Sequence, residues 1–147
     1  MKRFRYFIPV FILLTAACSP IEDTKNTLTY INGAEDYMNE MSQFTEDFPT
    51  IAEAALRDTQ AAQELESYVQ QIQQEIETFN KLESPAMMEE LHSEILNHNE
   101  NIQQGLKTFE QELENGTLNI EFIENSEVLK SVQDIQNIYE QIEQLGE

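Results

Sequence analysis

The chain has 147 residues, and its 28 acidic and 8 basic side chains give a formal net charge of −20 at pH 7. So acidic a surface is repelled by nucleic acid and by anionic lipid headgroups, which excludes nucleic acid as a partner. High charge can indicate disorder. Here, however, Glu, Gln, Leu, Ile and Ala dominate, and these residues favour helices.

The N-terminal segment has the three parts of a secretory signal peptide. Lys2, Arg3 and Arg5 form a basic head, residues 6–14 are apolar apart from one proline, and residues 15–17 are small. The apolar run is shorter than the roughly 20 residues that a membrane-spanning helix needs. We therefore predict a cleaved signal peptide over residues 1–17, with an uncleaved membrane helix as the alternative.

The only cysteine follows directly. The segment LTAAC at residues 14–18 resembles the lipobox of bacterial lipoproteins, with the difference that Thr15 takes the usual leucine position and Leu14 lies one residue earlier. The resemblance implies that Cys18 receives a diacylglyceryl group and becomes the first residue. An ordinary secreted protein is the alternative, but it would leave an unpaired thiol in an oxidising compartment.

The anchor predicts a location. Two acyl chains hold a protein stably in a bilayer, whereas one binds only marginally. We expect the protein to lie at the outer face of the cytoplasmic membrane, with residues 18–21 as lipidated cysteine and short linker and residues 22–147 as one helical domain. No flexible tether follows Cys18, so the domain should sit close to the membrane. Cleavage of the signal peptide would remove three basic residues. The mature chain would then have five basic and 28 acidic residues, which give a formal net charge of −23.

Two amphipathic helices are predicted in the first half of that domain. The first spans about residues 22–47 and is interrupted by Pro49, after which residues 50–57 form a short separate piece. Asp58 is placed to cap the second helix. In the first helix the predicted core positions are Ile31, Ala34, Met38, Met41, Thr45 and Phe48, with Tyr30, Tyr37 and Phe44 beside them. In the second helix they are Leu65, Val69, Ile72, Ile76 and Phe79.

Two further helices are predicted in the second half. Ser84 and Pro85 are suited to begin the third, and Gly116 to end it with a left-handed cap. Residues 119–124 form a prelude in which Ile120, Phe122 and Ile123 could plug the core, and Ser126 could cap the last helix. The predicted core positions are Met88, Leu91, Ile95, His98, Ile102, Leu106, Phe109 and Leu113, and then Val128, Val132, Ile135, Tyr139 and Ile142.

Four amphipathic helices with short connections predict an all-α, antiparallel up-down bundle. A three-helix arrangement with a loosely packed first helix, or a dimer that completes the bundle, is the alternative.

No set of residues predicts catalysis, a metal site or a cofactor. Glu89 and His92 make one Glu-x-x-His motif, whereas four-helix di-iron proteins use two, and Leu91 as a core residue turns both toward the flank. His98 lies on the predicted core face, where it could ligate haem or metal opposite Met38 or Met41, although a half-buried, hydrogen-bonded histidine is the simpler interpretation. The acidic faces are interpreted as solvated, with loose cation binding as the alternative.

Three stretches carry a family resemblance: YINGAEDYMN, ETFNKLESP and ENSEVLKSVQDIQNIYEQIEQLG. With the lipobox and the helices, they resemble a family of small lipoproteins of Gram-positive bacilli whose function is unknown. The resemblance implies a helical lipoprotein at the outer leaflet and supplies no activity.

The functional expectation is a non-enzymatic, membrane-anchored interaction module with an envelope protein as partner. The alternative is a bundle that binds a small ligand or a cation between helices lined by Tyr37, Met38, Met41 and Phe44.

Overall fold

A computed structural model describes residues 20–118 and 126–146. Over these two ranges the chain forms four α-helices and no strand, which confirms the predicted all-α class. The predicted signal peptide, Cys18 and the prelude at 119–124 lie outside the described residues. The helices are α1 (Pro20–Ala55), α2 (Thr59–Phe79), α3 (Glu89–Asn115) and α4 (Glu127–Gly146), with a 3-10 turn at Ala86–Met88 before α3.

Ring contacts along α1 fix the direction of α2. Tyr30 near the start of α1 lies 6.3 Å from Phe79 at the end of α2, whereas Phe44 lies 5.8 Å from Tyr68 in the middle of α2, as measured between ring centroids. The two helices are therefore antiparallel.

The other two helices complete the up-down arrangement. Phe48 of α1 packs 4.9 Å from Phe109 in the last third of α3, so α3 runs in the direction of α1. In α4, Val128 lies beside Gly105 of α3, and Asp134 lies beside His98. α1 packs extensively on α2 and α4, and α3 packs extensively on α4, but α2 and α3 touch only sparsely. The seam between α2 and α3 is thus the least closed of the bundle.

The prediction that Pro49 interrupts the first helix is wrong. α1 continues through the proline to Ala55, so residues 50–55 belong to it and no separate helix begins at Thr50. A proline inside a helix costs about 3 kcal/mol, because it lacks the N–H donor and crowds the preceding turn. Ending α1 there would remove Ala52 and Ala55 from the core, where both are buried. Continuity of this buried face offsets the cost of one missing hydrogen bond.

Three predicted helix ends are confirmed, and one is wrong. Oγ of Ser126 accepts a hydrogen bond from the backbone N–H of Leu129 at 3.5 Å at the start of α4. The Asp58 carboxylate accepts hydrogen bonds from the backbone N–H groups of Gln60 and Ala61 at 2.7 and 3.2 Å and so caps α2. Gly116 ends α3 in the left-handed conformation with φ of 67°, where a side chain would be strained. Ser84, in contrast, caps nothing, because a 3-10 turn follows Pro85 and α3 begins only at Glu89.

The predicted core face of α1 is confirmed at four of its six central positions, Ala34, Met38, Met41 and Phe48, and differs by one residue at the other two. Tyr30, Tyr37 and Phe44 are fully buried, whereas Ile31 and Thr45, which were predicted at the centre, are half-buried. The alternative of a loosely packed first helix is wrong, since this helix supplies the aromatic centre of the core. All five core positions predicted in α2 are buried.

Polar residues take two core positions in α3. His92 and Asn99 are buried, while Leu91 and His98, predicted in their place, are half-buried. The same one-residue offset occurs in α4, where Ile138 is buried and Tyr139 is half-buried. Beginning at Met88, directly before α3, these buried positions alternate by four and three residues, as interdigitating helices require: Met88, His92, Ile95, Asn99, Ile102, Leu106 and Phe109.

Two helical glycines make matched tests of the packing. A Cβ on Gly105 would lie 2.3 Å from Cγ2 of Val128, whose branched side chain has one strongly preferred rotamer in a helix. A Cβ on Gly33 would lie 2.8 Å from Cδ1 of Leu82, the end of a half-buried side chain in a connection.

We expect Gly105→Ala to destabilise the protein by about 1–3 kcal/mol through overpacking. Gly33→Ala should instead be neutral or stabilise it by up to about 1 kcal/mol through helix propensity, because Leu82 is free to move aside. Urea unfolding of both variants measures the difference. Equal effects at the two positions would contradict the close approach of α3 to α4.

Candidate functional site

A groove of about 340 Å³ lies along the sparse seam between α2 and α3. We call it the α2–α3 groove. Its floor is apolar, with the buried side chains of Leu65, Val69 and Phe109 below the half-buried Ala62 and Leu113. Polar residues form its rim: Thr59, Gln63 and Glu66 from α2, and Glu110 and Glu114 from α3.

Three carboxylates face this apolar floor without a matching cation. Burial raises the pKa of Glu110, and the neighbouring negative charges of Glu66 and Glu114 raise it further. In the part of the chain that the structure describes, the Lys and Arg ion pairs are made with Glu53 and Glu77, neither of which lines the groove. The rim therefore concentrates negative charge beside the half-buried Glu110, and the three carboxylates repel one another. A bound cation would reduce this repulsion.

The local sequence explains the composition of the groove. Glu66 directly follows Leu65, and Glu110 directly follows Phe109, so each carboxylate stands beside a core residue on its own helix. Side chains one position away from a core stripe lie at the edge of the helix interface. The prediction that the acidic faces are solvated did not include this groove, which Glu110 lines as a half-buried residue. The sequence shows that these glutamates adjoin core residues, but it does not show that the seam between α2 and α3 stays open.

Two polar layers hold α3 against α1 in the core. The hydroxyl of Tyr30 lies 3.0 Å from Nδ1 of His92, and the hydroxyl of Tyr37 donates to Oδ1 of Asn99 one heptad further on. Asn99 in turn donates through Nδ2 to Oδ1 of Asn80, at 2.7 Å, beyond the end of α2. These contacts close the α2–α3 seam at the end opposite the groove.

Burial also sets the ionisation of these layers. It raises the pKa of Tyr30 to about 12 and lowers the pKa of His92 below its usual value. At neutral pH the pair is therefore an uncharged phenol and an uncharged imidazole, and the tautomer of His92 determines which of the two groups donates the hydrogen bond. The ring of Phe79 covers His92 at 5.3 Å between centroids and Tyr37 at 4.5 Å. The two tyrosine hydroxyls and their partners on α3 are hydrogen-bonded and packed under an aromatic ring, so we interpret them as structural contacts of the core.

The Glu-x-x-His motif does not have the predicted orientation. His92 points into the core toward Tyr30, whereas Glu89 is exposed in the first turn of α3. His98 is half-buried, and its Nδ1 lies 4.0 Å from Oδ2 of Asp134 and makes no hydrogen bond. Across residues 20–118 and 126–146, no three His, Cys, Asp or Glu side chains are grouped so that they could hold a metal ion.

The interior position suggested for a small ligand is filled by protein. Tyr37, Met38, Met41 and Phe44 are all buried, with at most 6% of each residue exposed. None of the four lines the α2–α3 groove or the two other grooves described, which lie beside Tyr68 and beside Val128. A ligand would therefore bind at a groove on the surface and not among these side chains.

The fold and the groove define the class of protein as an all-helical bundle with a charged groove at one seam. No helix among the described residues is long and apolar enough to cross a bilayer. A model of a family of unknown function, DUF6376, matches residues 30–145, and the chain belongs to this family.

A relative supports the lipoprotein resemblance. The chain is similar to the uncharacterized lipoprotein YybP of Bacillus subtilis (strain 168), with 30% identity over 138 residues, which cover 94% of this chain and 93% of the relative. The predicted membership of a Gram-positive lipoprotein family of unknown function is thereby confirmed. No solved structure matches the chain.

The raised pKa of Glu110 gives a stability prediction. An acid whose pKa is raised by folding lowers the free energy of unfolding. This destabilisation is complete at pH values above the pKa of the folded state, and it vanishes at pH values below the pKa of the unfolded state. Glu110→Gln should therefore stabilise the protein at pH 7–8, by up to about 0.5 kcal/mol. The gain should fade as the pH drops through the raised pKa toward 4.5, the ordinary value for glutamate.

Urea unfolding at several pH values measures this gain, with Glu100→Gln on the exposed face of α3 as the control. The control removes the same charge away from the groove and should stabilise the protein less. Destabilisation by Glu110→Gln at pH 7 would mean that a cation already pairs with this carboxylate.

Proposed function

We propose that the protein is a lipoprotein held at the outer face of the cytoplasmic membrane by a diacylglyceryl group on Cys18. It acts there as a non-enzymatic binding module, and the α2–α3 groove receives its partner. The observation that carries the proposal is the groove itself, in which three unpaired carboxylates rim an apolar floor at the least closed seam of the bundle. Convergent charge around an apolar cleft is the usual composition of a binding site.

The position of the groove suits a membrane-anchored receptor. α1 begins at Pro20, two residues after Cys18, so the anchor joins the end of the bundle where α1 starts. The groove lies toward the other end, where it is lined by Phe109, the ring that packs on Phe48 of α1. Phe48 is 28 residues beyond Pro20, about 42 Å along the helix axis at 1.5 Å per residue. A bundle standing on its anchored end would present the groove away from the lipid surface.

A small ligand or cation is the second candidate, and the size of the groove favours it. A volume of about 340 Å³ falls at the lower end of the range of small-molecule sites, roughly 300–1,000 Å³. This candidate places the ligand at the α2–α3 groove and keeps the same anchor.

Replacement of Cys18 tests the anchor. We expect Cys18→Ala, made with the signal sequence retained, to move the protein from the membrane fraction to the soluble extracytoplasmic fraction, because the two acyl chains are lost. Fractionation and immunoblotting of cells measure the distribution, with Ser19→Ala as the control that keeps the thiol. A Cys18→Ala protein that stays with the membrane would refute the anchor.

Site-specific cross-linking in growing cells tests the groove. A photoreactive amino acid at Gln63, on the rim, should form a discrete cross-linked product. The matched control places it at Asn137, an exposed position on α4 away from the groove. Mass spectrometry identifies what is attached. The same products from both positions, or none from Gln63, would contradict a binding role for the groove.

A further inference from the structure

From the chemistry of the α2–α3 groove we infer that its occupant is a basic amphipathic helix of a partner protein, with apolar side chains on the groove floor and Lys or Arg side chains on the glutamate rim. This inference rests on the proposed function and names the partner chemistry.

The charges of the rim select a cation with more than one positive group. Glu110 and Glu114 are one helical turn apart on α3, and Glu66 stands on α2. Basic residues four positions apart on a bound helix repeat at the same spacing as the two α3 carboxylates. A single amine would pair with one carboxylate and leave the others repelling each other.

The shape of the groove selects a helix. α2 and α3 run antiparallel, and the groove between them extends from Thr59 to Val69, about 15 Å at 1.5 Å per residue. This length matches about three turns of a helix laid in the seam, a common mode of peptide recognition. The groove volume of about 340 Å³ accommodates about two leucine-sized side chains, since removal of one large core side chain opens about 150 Å³. Two anchors and flanking basic residues describe a short amphipathic helix.

Charge also argues against the chain covering its own groove. Residues 119–125 follow α3 and contain Ile120, Phe122 and Ile123, but their charged side chains are Glu121 and Glu124. Such a segment would add negative charge to the rim of the groove. A basic partner is in addition attracted over distance by the formal charge of −23 expected for the mature chain.

The test uses the full chain beginning at residue 18 and a synthetic probe. The probe is a 14-residue helical peptide of leucine and lysine, with leucine on one face. Its control has the same composition in a scrambled order that removes the apolar face. Isothermal titration calorimetry gives the Kd of each, and circular dichroism confirms that every protein variant is folded.

Two variants examine the two parts of the groove. Replacement of Glu66, Glu110 and Glu114 by Gln should weaken probe binding about tenfold, since three ion pairs are lost and each exposed pair contributes only a small part of the affinity. Ala62→Phe keeps every charge but fills the floor, and it should weaken binding to a similar degree. The matched control replaces Glu94, Glu100 and Glu140 by Gln, which removes the same charge from exposed positions elsewhere. Its Kd should stay within about twofold of the unmodified protein.

The outcomes separate this inference from the proposed function. Equal weakening by both triple variants, or equal binding of the scrambled peptide, would mean unspecific charge attraction and overturn the inference. Another outcome is that octylammonium binds where the probe peptide does not, with binding weakened by Ala62→Phe and by the triple Gln variant of the groove. That result would show that the occupant is a small organic cation and not a helix, and the groove would remain the binding site. Tighter probe binding after Ile120, Phe122 and Ile123 are replaced by Ser would identify the chain itself as the occupant. Failure of the Gln63 cross-linking would remove the proposed function as well.

Discussion

Every helix of the described bundle depends on the aromatic face of α1. Tyr30, Tyr37, Phe44 and Phe48 are buried at intervals of seven and four residues and contact α2 and α3 through their rings. α1 also packs extensively on α4. Because α2 and α3 touch each other so sparsely, burial against α1 holds them together. A groove can persist between them without loss of the core.

The polar layers determine how α3 is aligned on α1. Tyr30 pairs with His92 and Tyr37 pairs with Asn99, and each pair joins residues 62 positions apart. A shift of α3 by one heptad would leave one tyrosine and one polar partner buried without a hydrogen bond, which costs about 1–3 kcal/mol for each group. An apolar core would tolerate such a shift more easily, so these layers add specificity of alignment to a bundle made of repeating heptads.

The acidic surface is tolerated because its charges stand on the outer faces of the helices, where water and salt screen them. At Glu110, burial and the adjacent carboxylates raise the pKa of the side chain. The contacts that close the seam at Asn80 and Asn99 lie toward the end of the bundle where α1 begins, and the charged groove lies toward the other end. The bundle thus separates a firmly joined end near the predicted lipid anchor from an end suited to binding.

The sequence by itself determined that the chain forms four amphipathic helices, as well as the Asp58 and Gly116 ends and the core of α2, because capping chemistry and heptads of apolar residues act locally. The lipobox resemblance likewise depends on adjacent residues. Only the tertiary structure decided that α1 passes through Pro49, since the burial of Ala52 and Ala55 offsets the helix-breaking tendency of proline. It also decided that His92 and Asn99 replace Leu91 and His98 in the core, because their partners are tyrosines on another helix. The groove depends on how tightly two helices approach, and that distance is set by every other contact in the bundle.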